Sequence, residues 1–466
     1  MKSIGLWLLS LALLVLPGSV LASPERLEAD LRAMFGETGT FEIGDVSSPM
    51  LSFGSRVVAD TLIYDSGHGE RVLVDRYTVR GDYDAPDAVM IDGLRVEDTR
   101  SGLTVVSVET LNFEEPSHAV FPLQNESLAD AWRTEGLSVD NLAIDLASDV
   151  AMELFHDTPW ADGRGRLNIA RIEGRELAAD RIGLLEANEL SGEGENLGEL
   201  GSGSFRLASL RLVDARNLDI EEEARVGELL LSDMVIDTDR LVGAFERLRV
   251  DGDTDDGEGG VWLDAMHLDL NRMVELAPVD QRTQMRMFSN VLTDGTGELD
   301  LDVAFEGRWT AEDDMGSIMS HGVVDMANAL HLRLDMDLPV AVPTGMEPAA
   351  YFAGLNDFED MTLLGGDIIL HLEEQGLFGR IAPVGAAMAG ISEQQFIERA
   401  RTQAQGFGMV LGDDVKAILM ALVGMLEGNV SELTISASLP PNSNLDSYRE
   451  DPLGLSEQLS IRVESR

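Results

Sequence analysis

Leu330-His331-Leu332-Arg333-Leu334-Asp335-Met336-Asp337-Leu338 puts an apolar side chain at every even position and a polar one at every odd position. Period two is the signature of a strand with one apolar and one wet face, since successive side chains leave a strand on opposite sides. The same phrase returns at 103–113, 137–146, 165–173, 204–213, 226–236, 262–270 and 297–305. Acidic or glycine-containing turns separate the phrases, including Ser66-Gly67-His68-Gly69 and the stretches 192–203 and 251–260. Unit length varies too much for a fixed-period solenoid. The reading is a mainly β fold: a long, curved, largely antiparallel sheet of repeated short strands, with inserted helices and a C-terminal helical hairpin.

The helices stand out against this background. Pro24–Phe35 has helical spacing, with Leu27, Leu31, Met34 and Phe35 on one side. The stretch 271–292 reads as two helical pieces divided by Pro278, and 348–358 as a shorter helix. Residues 376–389 are apolar, after which Ser392-x-x-Gln395 is a capping-box start for a helix reaching about Val410. A second amphipathic helix covers Asp413–Leu426, a strand returns at 430–439, Pro440-Pro441 stops it, and a last strand is expected at 459–463. The chain thus divides into a leader at 1–22, a β-repeat body at 23–345 with its insertion near 271–292, and a C-terminal α+β segment at 346–466 with its helical pair near 393–426.

The leader has a Lys2 start, an apolar core over 4–16, a Pro17-Gly18 break and a Val20-Leu21-Ala22 ending suited to signal peptidase. Cleavage after Ala22 is expected, which makes the protein periplasmic. The alternative is an uncleaved inner-membrane anchor, because 4–22 is nearly long enough to span a bilayer. No other stretch is apolar enough to do so.

Formal net charge is −50, and Lys2 and Lys416 are the only lysines. Such a field excludes nucleic acid, which is bound by Lys and Arg that displace counterions. It also disfavours simple attraction to anionic headgroups. Acidic surfaces with this little lysine fit a halophilic protein, whose self-repulsion salt screens. Cysteine is absent, so disulfides, thiolate metal sites and a cysteine nucleophile are excluded.

The search for chemistry nominates no catalytic, cofactor-binding or metal residue. Of His68, His118, His156, His267, His321, His331 and His371, no two have zinc-binding spacing. His267, His331 and His371 repeat one context, apolar neighbours with a charged residue on the same face, and their alternatives are a gathered metal or pH sensor and plain solvated positions. Asp251-x-Asp253-x-Asp255-Asp256-Gly257 resembles the start of a calcium loop, but its glycine comes one residue late and Trp262 stands where the bidentate Glu belongs. Gly201-Ser202-Gly203-Ser204 lacks the nucleophile-elbow pattern, and Gly192, Gly194 and Gly198 lack phosphate-loop spacing. Arg80-Gly81-Asp82 is a chance adhesion tripeptide.

Phrases such as Phe205-Arg206-Leu207-Ala208-Ser209-Leu210-Arg211-Leu212 resemble those of AsmA-like and YdgA-like envelope proteins of Gram-negative bacteria. The run from Gly376-Leu377-Phe378-Gly379-Arg380 to Leu433-Thr434-Ile435-Ser436 is similar to uncharacterised proteobacterial exported proteins. The resemblance covers about 41–439. It implies a grooved sheet that shields lipid chains, and it transfers no individual residue.

An alternating sheet must cover its apolar face, by its own curl, by helices or by ligand. Methionines around 266–287 and 315–361 suit an adaptable lining. The expected function is therefore an exported envelope protein holding lipid or another hydrophobic ligand in an apolar sheet groove. The alternative is a structural or assembly protein with an envelope protein partner, and a third reading is an exported hydrolase. No cofactor is implied.

Overall fold

The computed structural model describes residues 23–35, 39–49, 56–121, 132–147, 150, 163–196, 201–220, 224–252, 257–312, 315–343, 361–441 and 458–466. The leader, the helix expected at 348–358 and His156 lie outside them. The protein is mainly β, with eighteen strands and six helices among the described residues, and every described strand pairing that has a register is antiparallel. The chain forms two compact units: Met1–Glu199 with Ser209–Arg225, and Leu200–Ala208 with Val226–Arg466.

The first unit opens with helix α1 (Pro24–Phe35) and continues through β1 (Thr40–Ser47), β2 (Arg56–Asp65), β3 (Glu70–Asp82), β4 (Ala85–Asp98), β5 (Thr104–Glu114), β6 (Arg133–Asp145), β7 (Arg164–Ala178) and β8 (Arg181–Glu195). Each strand pairs with the next in sequence, so the ladder is a simple meander. Helix α1 lays Leu27 and Leu31, both essentially solvent-free, onto the apolar face of β2–β4, where Val57, Ala59, Leu62, Tyr77, Val79 and Val89 are buried. Phe35 stacks on Phe41 and Tyr64 at 5.1 and 4.5 Å. Tyr77 donates to the Ala119 carbonyl at 2.7 Å and Tyr83 to Asp30 Oδ2 at 2.8 Å. Burial pushes both phenols well above their usual range, and for Tyr83 the Asp30 carboxylate adds to it.

All eight segments expected as strands are strands, several of them longer than the apolar alternation alone marks. One reason is a phase jump. In β2 the buried face uses Val57 and Ala59, then Leu62 and Tyr64; in β4 it uses Val89 and Ile91, then Leu94 and Val96. The spacing i, i+2, i+5, i+7 recurs in β3 (Val72, Val74, Tyr77, Val79), β5 (Val106, Val108, Leu111, Phe113) and β6 (Leu137, Val139, Leu142, Ile144). Simple alternation would send the second pair to the wet side. On alternate strands the backbone prevents this with one residue in the left-handed region just before the third apolar position, Thr61 in β2, Gly93 in β4, Asn141 in β6 and Glu189 in β8, while β3 and β5 keep the same spacing beside them with ordinary φ.

These residues stand abreast. Register is unbroken on both sides of the row that runs through 44, 61, 75, 93, 109, 141, 170 and 189, so every strand changes phase at the same place. Glycine takes this conformation without steric cost at Gly93, where φ is +65° and an added Cβ would lie 2.1 Å from Asp75 Oδ2. The row is otherwise mostly polar, and ion pairs flank it: Arg76 with Asp60 at 2.8 Å, Arg95 with Asp75 at 2.7 Å and Arg171 with Asp140 at 3.1 Å.

Strand β9 (Gly203–Arg216) has residues in both units. The second unit contains β10 (Arg225–Thr238), β11 (Val242–Asp251), β12 (Glu258–Asp269), β13 (Glu298–Glu312), β14 (Met315–Met326), β15 (Leu330–Ala341), β16 (Gly366–Glu374), β17 (Glu432–Leu439) and β18 (Ser460–Ser465). Asp233 and Ala265 repeat the left-handed device in β10 and β12. Within the second unit the row through 233, 246 and 265 ends in a β-bulge, where Asp264 and Ala265 together oppose Asp302. The bulge absorbs the extra residue. From β13 onward the strands alternate without interruption, as Leu330–Ala341 does.

Two helices interrupt this ladder, α2 (Leu270–Leu276), capped by Asp269, and α3 (Arg282–Thr293), with Pro278 between them as expected. The C-terminal expectation of a helical pair becomes three helices: α4 (Leu377–Ala389), α5 (Glu393–Leu411) and α6 (Asp413–Leu426). The sequence marks 377–389 only as apolar because Pro383 sits inside it and cannot donate to the carbonyl four residues back. Tertiary bonds secure it: Arg380 donates to the Val291 and Asn328 carbonyls at 2.6 and 2.7 Å. The capping box at α5 forms, with Ser392 Oγ accepting from Gln395 N and Gln395 Oε1 from Ser392 N. The stretch 192–203, expected as a turn, is partly strand, since β8 runs on to Glu195. Gly194 permits this, because an added Cβ would lie 2.2 Å from the Arg164 carbonyl across the pair.

Candidate functional site

The apolar face of the second unit is the candidate. It is assembled by alternation: Val261 and Leu263 of β12, Val303 and Phe305 of β13, Val324 of β14, and Leu332 and Leu334 of β15 all fall on one side. Two covered regions flank it. Toward one end of β15, Leu338 and Val340 are buried with Met361, Leu363 and Leu439. Beyond β16, Ala421 and Met425 of α6 close over Leu433, Leu372 and Val463.

Between these regions and β10 the face is open among the described residues. No side chain of β11 or β12 is fully buried, and on β13 only Leu299 is. Val261 and Phe305 are opposite one another in register and are 40% and 41% exposed. The Phe305 ring lies over Gly322, where an added Cβ would approach it to 2.6 Å, so β14 offers a flat seat. A face of Leu, Val and Phe left partly wet in mid-sheet loses about 25 cal/mol for each Å² it fails to bury. Under α1 of the first unit the same kind of face is sealed. The difference shows what a covered face looks like here.

The opposite, wet face carries the histidines. His267 Nδ1 is 2.8 Å from Asp300, its cross-strand partner, and His321 Nδ1 is 2.7 Å from Asp335. His331 faces Asp325 at 3.6 Å and His371 meets Thr434 Oγ1 at 3.0 Å. His331 and His371 sit on adjacent strands, but His267 is three strand spacings away from His331, roughly 14 Å. The three with the shared sequence context therefore do not converge, and no group of three or more metal-ligating side chains exists among the described residues. His68 lies in the β2–β3 turn, and His118 Nδ1 is 2.9 Å from Ser117 Oγ. Of the acidic turn, Asp251 ends β11 and Glu258–Gly260 open β12, while Asp253, Asp255 and Asp256 lie outside the described residues.

A concavity of ≈ 560 Å³ lies around Trp262 and His321. Its groups are engaged with one another. Arg249 stacks on Trp262 at 4.7 Å and pairs with Glu228 and Asp251, Trp262 Nε1 donates to Glu306 at 3.0 Å, and Arg308 pairs with Glu258 at 2.5 Å. Around Trp262 the wet face is thus a network of paired groups, whereas the apolar face has unspent contact surface.

Sequence reasoning found the alternation that builds the face and missed the phase jump that keeps the apolar residues of the first-unit strands on one side. The signal was available, because spacing i, i+2, i+5, i+7 recurs from strand to strand. It went unread because each half of a strand alternates correctly by itself. Comparison of the chain with protein-family models finds no match, and a search of curated proteins finds no significant match either.

Proposed function

We propose that this is an exported envelope protein that holds a lipid or another hydrophobic ligand against the apolar face of its second unit. The observation that supports this reading is the half-exposed Val261–Phe305 pair, on a face with no fully buried side chain from β11 or β12. An acyl chain laid there gains about 0.8 kcal/mol for each methylene removed from water. The leader-like residues 1–22 support export to the periplasm, and the likeness of texture to AsmA-like proteins agrees with a sheet that shields lipid.

Native mass spectrometry with lipid extraction tests this, on protein purified from its own periplasm in high salt without detergent. The expected result is lipid or fatty acid in stoichiometric amount. Val303→Asp, on the same face beside Val324, is expected to lose the ligand while keeping its strand-dominated circular dichroism. A bare polypeptide mass for the wild type would refute the reading and direct attention to assembly through a protein partner.

A further inference from the structure

Helix α5 changes character in its last turn. Through Gln405 it is studded with Glu, Gln, Arg and Thr, but Gly406-Phe407-Gly408-Met409-Val410-Leu411-Gly412 carries no charge and no amide side chain. Gly412 then leads directly into α6. The apolar residues at this tip are turned outward: Phe407 is 57% exposed, Met409 83% and Val410 71%. Elsewhere in the helical region exposed apolar residues are scattered, and scattered ones need no explanation. Three within four residues at the tip of a helical hairpin do.

The tip is held firmly. At Gly408 the two helices cross so closely that an added Cβ would lie 2.3 Å from Lys416 Cβ. That lysine is the only one in the chain besides Lys2. In a protein that uses arginine for nearly all its positive charge, its one described ammonium sits on a flexible stem a single turn from the apolar tip. Asp413 and Asp414 open α6 just beside it. Lysine at an apolar boundary reaches outward to a phosphate while its stem stays with the hydrocarbon.

We propose that the α5–α6 tip is a membrane-contact element, inserting Phe407, Met409 and Val410 into the interfacial layer of a zwitterionic phospholipid bilayer. The charges at the tip match that headgroup, with Lys416 for the phosphate and Asp413 and Asp414 for the amine. An anionic bilayer is disfavoured by the formal charge of −50. The element does not depend on the ligand reading above: it would bind vesicles whether or not the sheet holds lipid.

The test is flotation of the full chain with phosphatidylcholine vesicles at low and high salt, with phosphatidylglycerol vesicles in parallel. Wild type is expected to float with phosphatidylcholine at both salt concentrations. The triple variant Phe407→Ser, Met409→Ser, Val410→Ser is expected to bind at least about tenfold more weakly. A Phe407→Trp variant is expected to shift its emission to the blue on adding phosphatidylcholine vesicles, which reports insertion without relying on a loss. Failure of wild type to float, equal flotation of the triple variant, or binding confined to anionic vesicles would each overturn the proposal. So would loss of self-association in the triple variant, measured by sedimentation, with no change in vesicle binding, since the occupant would then be a second copy. Native mass spectrometry on the same samples keeps this outcome separate from that of the ligand reading.

Discussion

Replacing Thr61 by glycine is expected to stabilise β2, although glycine in mid-strand ordinarily costs about 0.5–1 kcal/mol. Thr61 is an exposed, β-branched residue held at φ +59° inside a ten-residue strand. A left-handed conformation costs an L-residue about 1–2 kcal/mol, and a β-branched one is a genuine outlier there. Its side chain makes no buried contact to lose, and the opposite residue, Gly44, brings no Cβ into the space. Setting the relief against the entropy of glycine leaves a net gain of about 0.5–1 kcal/mol. Native-state hydrogen exchange on the β2–β3 amides reads this locally, as protection increased by about two- to fivefold. Thr110→Gly provides the contrast: one position beyond the same row on β5, with ordinary φ, it is expected to lose about the same amount. Destabilisation by Thr61→Gly comparable to that by Thr110→Gly would refute the claim that the row imposes backbone strain.

The two buried tyrosines make the first unit sensitive to alkali. Their phenols are held neutral in the fold above the pH at which the unfolded chain ionises, so their stabilising contribution is full below about pH 10 and is lost as pH rises beyond it. Tyr77→Phe with Tyr83→Phe is therefore expected to flatten the fall in stability above pH 10, followed by thermal melts across pH 9–12, and an unchanged slope would contradict the assignment. At the other end of the chain, Ser392→Ala removes the acceptor of the capping box and is expected to cost about 1 kcal/mol, seen as faster exchange of the first-turn amides of α5. Equal exchange in the variant would mean that packing against α4 and α6 alone sets the start of the helix.

Much of this architecture is legible in the sequence because burial on one side writes itself into composition. Pro24–Phe35 and Asp413–Leu426 were readable to the residue, since each has an apolar stripe bounded by a break. Leu330–Leu338, the greater part of β15, was readable because nothing disturbs its alternation. Helix α4 was not, because its stability comes from Arg380 reaching carbonyls some fifty and ninety positions away in the sequence. The candidate site was half legible. Alternation identifies which residues face together, but the exposure of Val261 and Phe305 depends on what fails to cover them, and no local pattern records that. The exposed tip at 407–410 was hidden for a different reason: apolar residues at the end of an amphipathic helix look the same whether they face a core or solvent.

The row of left-handed residues also bears on how such a chain can change its length. Along this row the device recurs on alternate strands of the first unit, β2, β4, β6 and β8, so at the row one hairpin carries one left-handed residue and one ordinary partner; β7 and β9 hold further left-handed residues, Glu176 and Asp214. Duplicating a hairpin would add two strands with their phase jump already in step, leaving both faces of the neighbouring strands undisturbed. Inserting a single strand would reverse the chain direction and place two left-handed positions side by side. The smallest inheritable unit of this sheet is therefore the hairpin. Where the row ends, at the bulge of Asp264 and Ala265, a plain alternating ladder can be joined to it without any strand having to change which way it faces.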